Sequence, residues 1–172
     1  MVQIGVQTKN VVCDENPAVG FGMLKEAGFS CADFSLNSYL TNISLYKMQP
    51  NHFFDQSEEE LYRFFMPHKK GADAAGIRIH QMHMPYPNYV PGGRRELNEY
   101  LWNVVAPKSM KICAFFECSY IVVHGFKLAR QLGSEEASWR VSLALKRLNG
   151  SRQNVFFIFL LQWRKSLGLQ SV

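Results

Sequence analysis

Several absences narrow what this sequence can be before any motif is read. The longest uninterrupted apolar run covers residues 155–161, far short of the roughly 20 residues that span a bilayer. The start, Met1-Val2-Gln3-Ile4, has neither a basic region nor a long apolar stretch, so it does not read as a secretory leader. The cysteines Cys13, Cys31, Cys113 and Cys118 have no C-x-x-C spacing and two lie in apolar runs, which predicts buried free thiols in a reducing compartment. Together these features predict a cytoplasmic protein with no membrane association. Neither G-x-G-x-x-G nor G-x-x-x-x-G-K-[ST] occurs, which argues against a dinucleotide- or nucleotide-binding sheet. Acidic residues thin out late in the chain: from Gly125 onward there are only Glu135 and Glu136 against 8 Lys and Arg. After Gly150 there is no Asp, Glu or His at all. The net charge of +5 therefore arises in the last third. Its basic residues are scattered rather than clustered, so they read as solvated helix faces and not as a nucleic-acid footprint.

What is present is a regular alternation of strand and helix. Residues 3–7 and 31–36 read as strands, and between them Asn16-Pro17 predicts an N-cap with proline at the first helical position, ended by Gly28. Ser57 and Glu60 form an S-x-x-E capping box ahead of Leu61, Phe64, Phe65, His68, Ala72 and Ala75 at helical spacing, with Gly76 as the stop. Residues 77–83 form a third strand. Helical pattern then runs from Arg94 to about Glu117, where Pro107 is expected to kink or divide it. Residues 120–124 make a fourth strand, and Ser134 opens a helix ending near Leu148. Four β-α units in a row require parallel strands and right-handed crossovers. The α/β architecture expected is a partial (β/α)8 TIM barrel, with residues 1–149 as its N-terminal half and 150–172 as an atypical apolar tail. A full barrel of this type needs roughly 250 residues.

In such a fold chemistry gathers at the C-terminal strand ends. Gln7-Thr8 and Asn37 stand there, with His83 ending the third strand and His124 the fourth. Two-residue alternation places His83 on one face with Gln81, Ile79 and Ile77, and His124 with Val122 and Tyr120. Both imidazoles then project into one mouth, where they can share a metal or a sugar hydroxyl. The alternative for either is a strand-end residue hydrogen-bonded to a loop. His80 has the opposite parity and is expected to pack towards the helices. His52, His68 and His80 receive no role. Phe53, Phe54 and Tyr86 lie in long loops after the second and third strands. They suit either a lid that stacks on a sugar ring or an apolar underside holding those loops to the barrel.

These motifs carry a resemblance. Ile77-Arg-Ile-His-Gln-Met-His-Met-Pro-Tyr resembles the third strand of the xylose isomerase-like barrels, the sugar phosphate isomerase/epimerase family. Ser119-Tyr-Ile-Val-Val-His-Gly resembles their fourth, and Ile4-Gly-Val-Gln with Leu24-Lys-Glu-Ala-Gly-Phe-Ser-Cys-Ala-Asp resembles their opening. The resemblance covers about residues 3–148. It implies an isomerase or epimerase of carbohydrate metabolism that moves a proton on a keto or aldo sugar through an enediolate. It also implies a divalent metal (Mn, Mg, Co or Zn) and a small-molecule sugar or sugar phosphate as partner. In the related endonuclease IV branch, which cuts DNA at abasic sites with zinc, histidines at the positions of His83 and His124 bind metal. In the isomerases those positions more often contact substrate.

The departures are equally informative. In the family, the metal and acid/base carboxylates come largely from the fifth to eighth strands, so no catalytic residue can be assigned here. Asn154-Val-Phe-Phe-Ile-Phe-Leu-Leu-Gln-Trp stands where a fifth strand ending in Glu is expected. It reads either as an apolar strand or, since the strand–helix rhythm stops near Leu148, as a replaced, non-native end. Glu117-Cys118 stands where the family has a glycine after the third helix. Half a barrel leaves open strand edges, which predicts either capping by residues 155–161 or self-association. Three readings follow: an isomerase-like protein with an incomplete catalytic site, a zinc-dependent endonuclease IV-like AP endonuclease, or a non-catalytic binding or assembly fragment.

Overall fold

The strand–helix alternation read from the sequence is what the chain builds. A computed structural model describes residues 3–90, 92–124 and 156–160. The elements are β1 (Gly5–Gln7), α1 (Pro17–Glu26), β2 (Cys31–Ser35), α2 (Asn42–Tyr46), α3 (Glu58–Ala75), β3 (Arg78–His83), α4 (Arg95–Tyr100), α5 (Ala106–Phe115), β4 (Tyr120–His124) and β5 (Phe156–Leu160). All five strands are parallel in the order β1-β2-β3-β4-β5. This sequential order, with helices between the strands, is one arc of a (β/α)8 barrel. None of the described helices is long and apolar enough to cross a membrane.

The apolar segment after Gly150 contributes a strand in its own right: β5 pairs with β4 from Tyr120↔Phe156 to His124↔Leu160. It thereby covers the edge of β4 that would otherwise be open. The helix expected over 134–148 lies outside the described residues.

Helix ends follow from local chemistry. Ser57 Oγ accepts from the Glu60 N–H at 3.2 Å while Glu60 Oε2 accepts from the Ser57 N–H at 2.7 Å, completing the capping box of α3. Gly76 ends that helix at φ +64°, a left-handed conformation that costs glycine little. Gly71 serves contact instead: a Cβ there would lie 3.0 Å from the backbone of Ala18, so its absence lets α1 rest against α3. Asn16 holds the N-cap position of α1, but its side chain makes no capping bond, and the start rests on Pro17. Pro107, expected to kink or divide the third helical run, instead sits where its winding changes. The run stays continuous from Arg95, but Leu101–Val105 winds as a π-turn before α5, which absorbs the missing proline N–H.

Phe34, Met82, Ile121 and Val123 bury one sheet face under Leu24, Leu61, Phe65, Ala72 and Ile112 of the helices. Phe34 meets Phe65 edge-on at 5.8 Å and Phe116 at 4.9 Å.

The third strand departs from simple alternation. The β2–β3 register runs Ala32↔Ile79 and then Asp33↔Gln81, so His80 is an extra residue, a β-bulge. Ile79 therefore joins Met82 in the core on the helix side, not His83 on the inner face. His80, expected against the helices, is exposed on the opposite face, with its ring 5.6 Å from Tyr120 and Nδ1 3.2 Å from Arg78. A bulge reverses side-chain parity along the strand, which is why alternation misplaced both residues.

Because the capping box closes two otherwise unpaired N–H groups, Ser57→Ala is expected to lower stability by about 1 kcal/mol. Urea denaturation followed by far-UV circular dichroism should show an earlier midpoint with an unchanged slope.

Candidate functional site

Reversed parity beyond the bulge brings Gln81 and His83 to the inner face beside β2. There Asp33 and Ser35 are their register partners. His83 Nδ1 lies 2.7 Å from the Asp33 carboxylate, and both side chains are largely buried, 13% and 17% exposed. An ionised carboxylate can only accept. The contact therefore places a proton on Nδ1, and in the corresponding neutral tautomer Nε2 is the acceptor.

β4 continues the layer. His83 pairs with Val122, and the His124 ring stands 5.3 Å from that of His83 at an interplanar angle of 37°. Tyr86 closes on the other side of His124, ring to ring at 5.0 Å. Asn37 holds this loop in place, its Oδ1 accepting from the Tyr86 N–H at 3.1 Å. Thr8, at the end of β1, ties the strand ends together: its N–H donates to the Asp33 carbonyl and its Oγ1 accepts from the Ser35 N–H. His124 Nδ1 is buried with no hydrogen-bond partner among the described residues. Burial, reinforced by the neighbouring His83, holds its imidazole below the usual value, with Asp33 opposing.

A concavity of about 280 Å³ opens beside Asp33 and Gln81, lined also by Gln7, Cys31 and His80. Through Asp33 it adjoins the Asp33–His83 dyad on the inner face of the sheet.

The structure thus brings together His83, His124 and Tyr86. It does not bring Phe53 and Phe54 to them. Phe54 is fully buried and its ring meets Phe53, while Phe53 stacks on Tyr39 at 4.8 Å and meets Phe64 and Phe65 edge-on. This is the underside that anchors the loop, reinforced by the Lys108 ammonium, which donates to the carbonyls of Phe54 and Gln56 at 2.7 and 2.5 Å. His68 belongs to the same region: buried, it bonds Asp14 at 3.0 Å, and Tyr39 donates to the same carboxylate at 2.8 Å. Burial and Asp14 raise the Tyr39 phenol well above its ordinary value, so it remains a donor. His52 is exposed and pairs with Asp55. Asp33 has no role in the sequence reading, although a charge at the centre of the apolar strand Cys31–Ser35 is the signal that would have found it.

No group of three His, Cys, Asp or Glu is placed to hold a metal among the described residues. Two imidazoles, with the nearby carboxylate bonded to one of them, fall short of the four ligands zinc takes or the oxygen shell of magnesium. The described residues therefore do not fit the implied divalent ion.

No protein-family model and no curated protein matches the sequence. Solved structures do match. The 3-keto-D-glucoside 4-epimerase YcjR from E. coli superposes with a TM-score of 0.62 at 15% identity, over 92% of this chain and 56% of its own. A sugar phosphate isomerase/epimerase from Parabacteroides distasonis gives 0.52 at 17%, over 91% and 50%. An AP endonuclease, family 2, from Brucella melitensis gives 0.52 at 12%, over 92% and 55%. The fold is that of the xylose isomerase-like barrels. The chain spans about half the length of the structures it matches, and its five described strands form one arc of such a barrel.

The depressed His124 imidazole has a pH consequence. The unfolded chain has an ordinary value near 6.5 and takes up protons first as pH falls. Stability contributed by neutral His124 is therefore complete above about pH 6.5 and is lost as pH falls towards the folded value. Melting temperatures between pH 7.5 and 5 should fall less steeply for His124→Gln than for the parent chain. Equal slopes would remove His124 from the acid sensitivity.

Proposed function

We propose that the inner face at Asp33, His83 and His124 is a sugar-binding site of the isomerase/epimerase type, taking a keto or aldo sugar or its phosphate. The observation that carries this reading is the Asp33-oriented His83 imidazole with His124 beside it, at the ends of adjacent parallel strands. Orientation by a carboxylate fixes one tautomer, so His83 Nε2 accepts from a sugar hydroxyl in a set direction. A half-buried neutral His124 at ring-contact distance suits the adjoining oxygen. Interconversion of neighbouring carbonyl and hydroxyl carbons needs a proton moved between them, and a neutral imidazole near neutral pH is suited to receive it. The remaining groups of such a reaction are not assigned to residues of this chain.

The epimerase and isomerase named among the similar structures support the sugar class, although their likeness concerns fold. The AP endonuclease reading has less support, because abasic DNA demands phosphate contacts. Arg95, which opens α4 after the β3 loop, is exposed and paired with Glu99.

Calorimetric titration of the full chain with keto-hexoses, keto-pentoses and their phosphates, with and without Mn²⁺ or Zn²⁺, tests the reading. Loss of a directed hydrogen bond should weaken binding about tenfold in His83→Ala and in His124→Ala. Asp33→Asn should weaken it less, since His83 remains but loses its orientation. Absence of sugar binding in the parent chain, or binding in both histidine variants as tight as in the parent, would sink the proposal. Cleavage of abasic DNA with zinc would favour the endonuclease instead.

A further inference from the structure

Helix α5 ends in a paired-thiol arrangement that the sugar site does not use. The Cys118 N–H donates to the Cys113 carbonyl at 3.0 Å and the Glu117 N–H to the Ala114 carbonyl at 2.9 Å, with Glu117 left-handed at φ 56°. This is a Schellman ending, which brings together the side chains three residues before the cap and two after it, commonly as an apolar contact. Here both positions are cysteine. Cys113 Sγ lies 3.2 Å from the Cys118 carbonyl oxygen and 3.6 Å from that of Tyr120, and Cys118 Sγ lies 3.3 Å from the same Tyr120 oxygen. The two thiols thus converge on one carbonyl oxygen, and both are buried and free.

We propose that Cys113 and Cys118 are a modification site that closes to a reversible intrachain disulfide on exposure to a hydroperoxide, fastening the end of α5 to the start of β4. Cys118 acts first. Its thiolate attacks one peroxide oxygen, the O–O bond breaks, and the departing oxygen leaves as water after taking a proton. Cys113 then gives up its proton and attacks the sulfenic sulfur, expelling a second water. Two thiols and one hydrogen peroxide become one disulfide and two waters, the sulfurs supplying the two electrons that reduce the peroxide. A dithiol reductant reverses the bond by exchange, becoming a disulfide itself. The order follows from the surroundings of the two sulfurs. Cys113 Sγ faces two carbonyl oxygens that keep its proton in place, whereas Cys118 Sγ faces one. The neighbouring Cys113 holds the Cys118 thiol below an ordinary one, while Cys118 and burial push Cys113 up. Cys118 lies two residues before the start of β4, the strand that ends in His124.

Trypsin cuts after Lys111 and Lys127, so both cysteines fall in one peptide, 112–127. The full chain, treated with graded hydrogen peroxide, alkylated and digested, is to be mapped by mass spectrometry. The expected result is loss of the mass of two hydrogens within that peptide, restored by dithiothreitol. Exposed Cys13 provides the internal reference for simple accessibility. In Cys113→Ala, Cys118 should instead be captured by dimedone as the sulfenic acid. The proposal is overturned if both cysteines remain alkylatable at peroxide levels that oxidise Cys13, or if the bond formed joins two chains. The mapping on the parent chain stands whether or not the variants fold.

Discussion

Parallel strands cannot be joined by a tight turn, so each hydrogen-bonded neighbour in this sheet must be reached by a crossover. That constraint orders the rest of the molecule. The crossovers deposit α1, α3 and α5 on one face, where Phe34, Met82, Ile121 and Val123 meet Phe65 and Ile112. It also points every strand's C-terminal end the same way, so the residues ending β2, β3 and β4 arrive side by side. Asp33, His83 and His124 are neighbours because of this common direction, though they are far apart along the chain.

Within that frame a single extra residue decides what faces inward. Had β3 paired without the bulge at His80, Ile79 would share a face with His83, and the dyad would stand beside an apolar neighbour. The bulge sends Ile79 to the core and gives the inner face Gln81 and His83 opposite Asp33 and Ser35. Bulges beside functional sites commonly re-aim side chains in this manner.

Much of the fold was legible because it rests on local signals. The Ser57–Glu60 box, the Gly76 stop and the β-branched run before His124 all appear where short-range chemistry places them. His83 and His124 were legible for the same reason, as strand ends. Asp33 was legible only as a charge within an apolar strand, because its importance lies in a cross-strand partner 50 positions away. The bulge was illegible, since register belongs to two strands at once and single-strand alternation cannot reveal it. Phe53 and Phe54 look alike as lid or anchor in sequence, and the choice depended on Tyr39, Phe64 and Phe65 offering them a buried aromatic bed.

The pairing of β5 with β4 has a bearing on how the chain reaches this state. Every strand pair here joins segments separated by tens of residues, and each closure costs loop entropy before its hydrogen bonds return anything. β4 gains its second neighbour only when β5 arrives, so the surroundings of His124 are completed only after β5 has been made. Until then its outer edge is a bare row of donors and acceptors flanked by apolar residues. The interval before that closure is when the nascent chain is most open to pairing with the wrong strand.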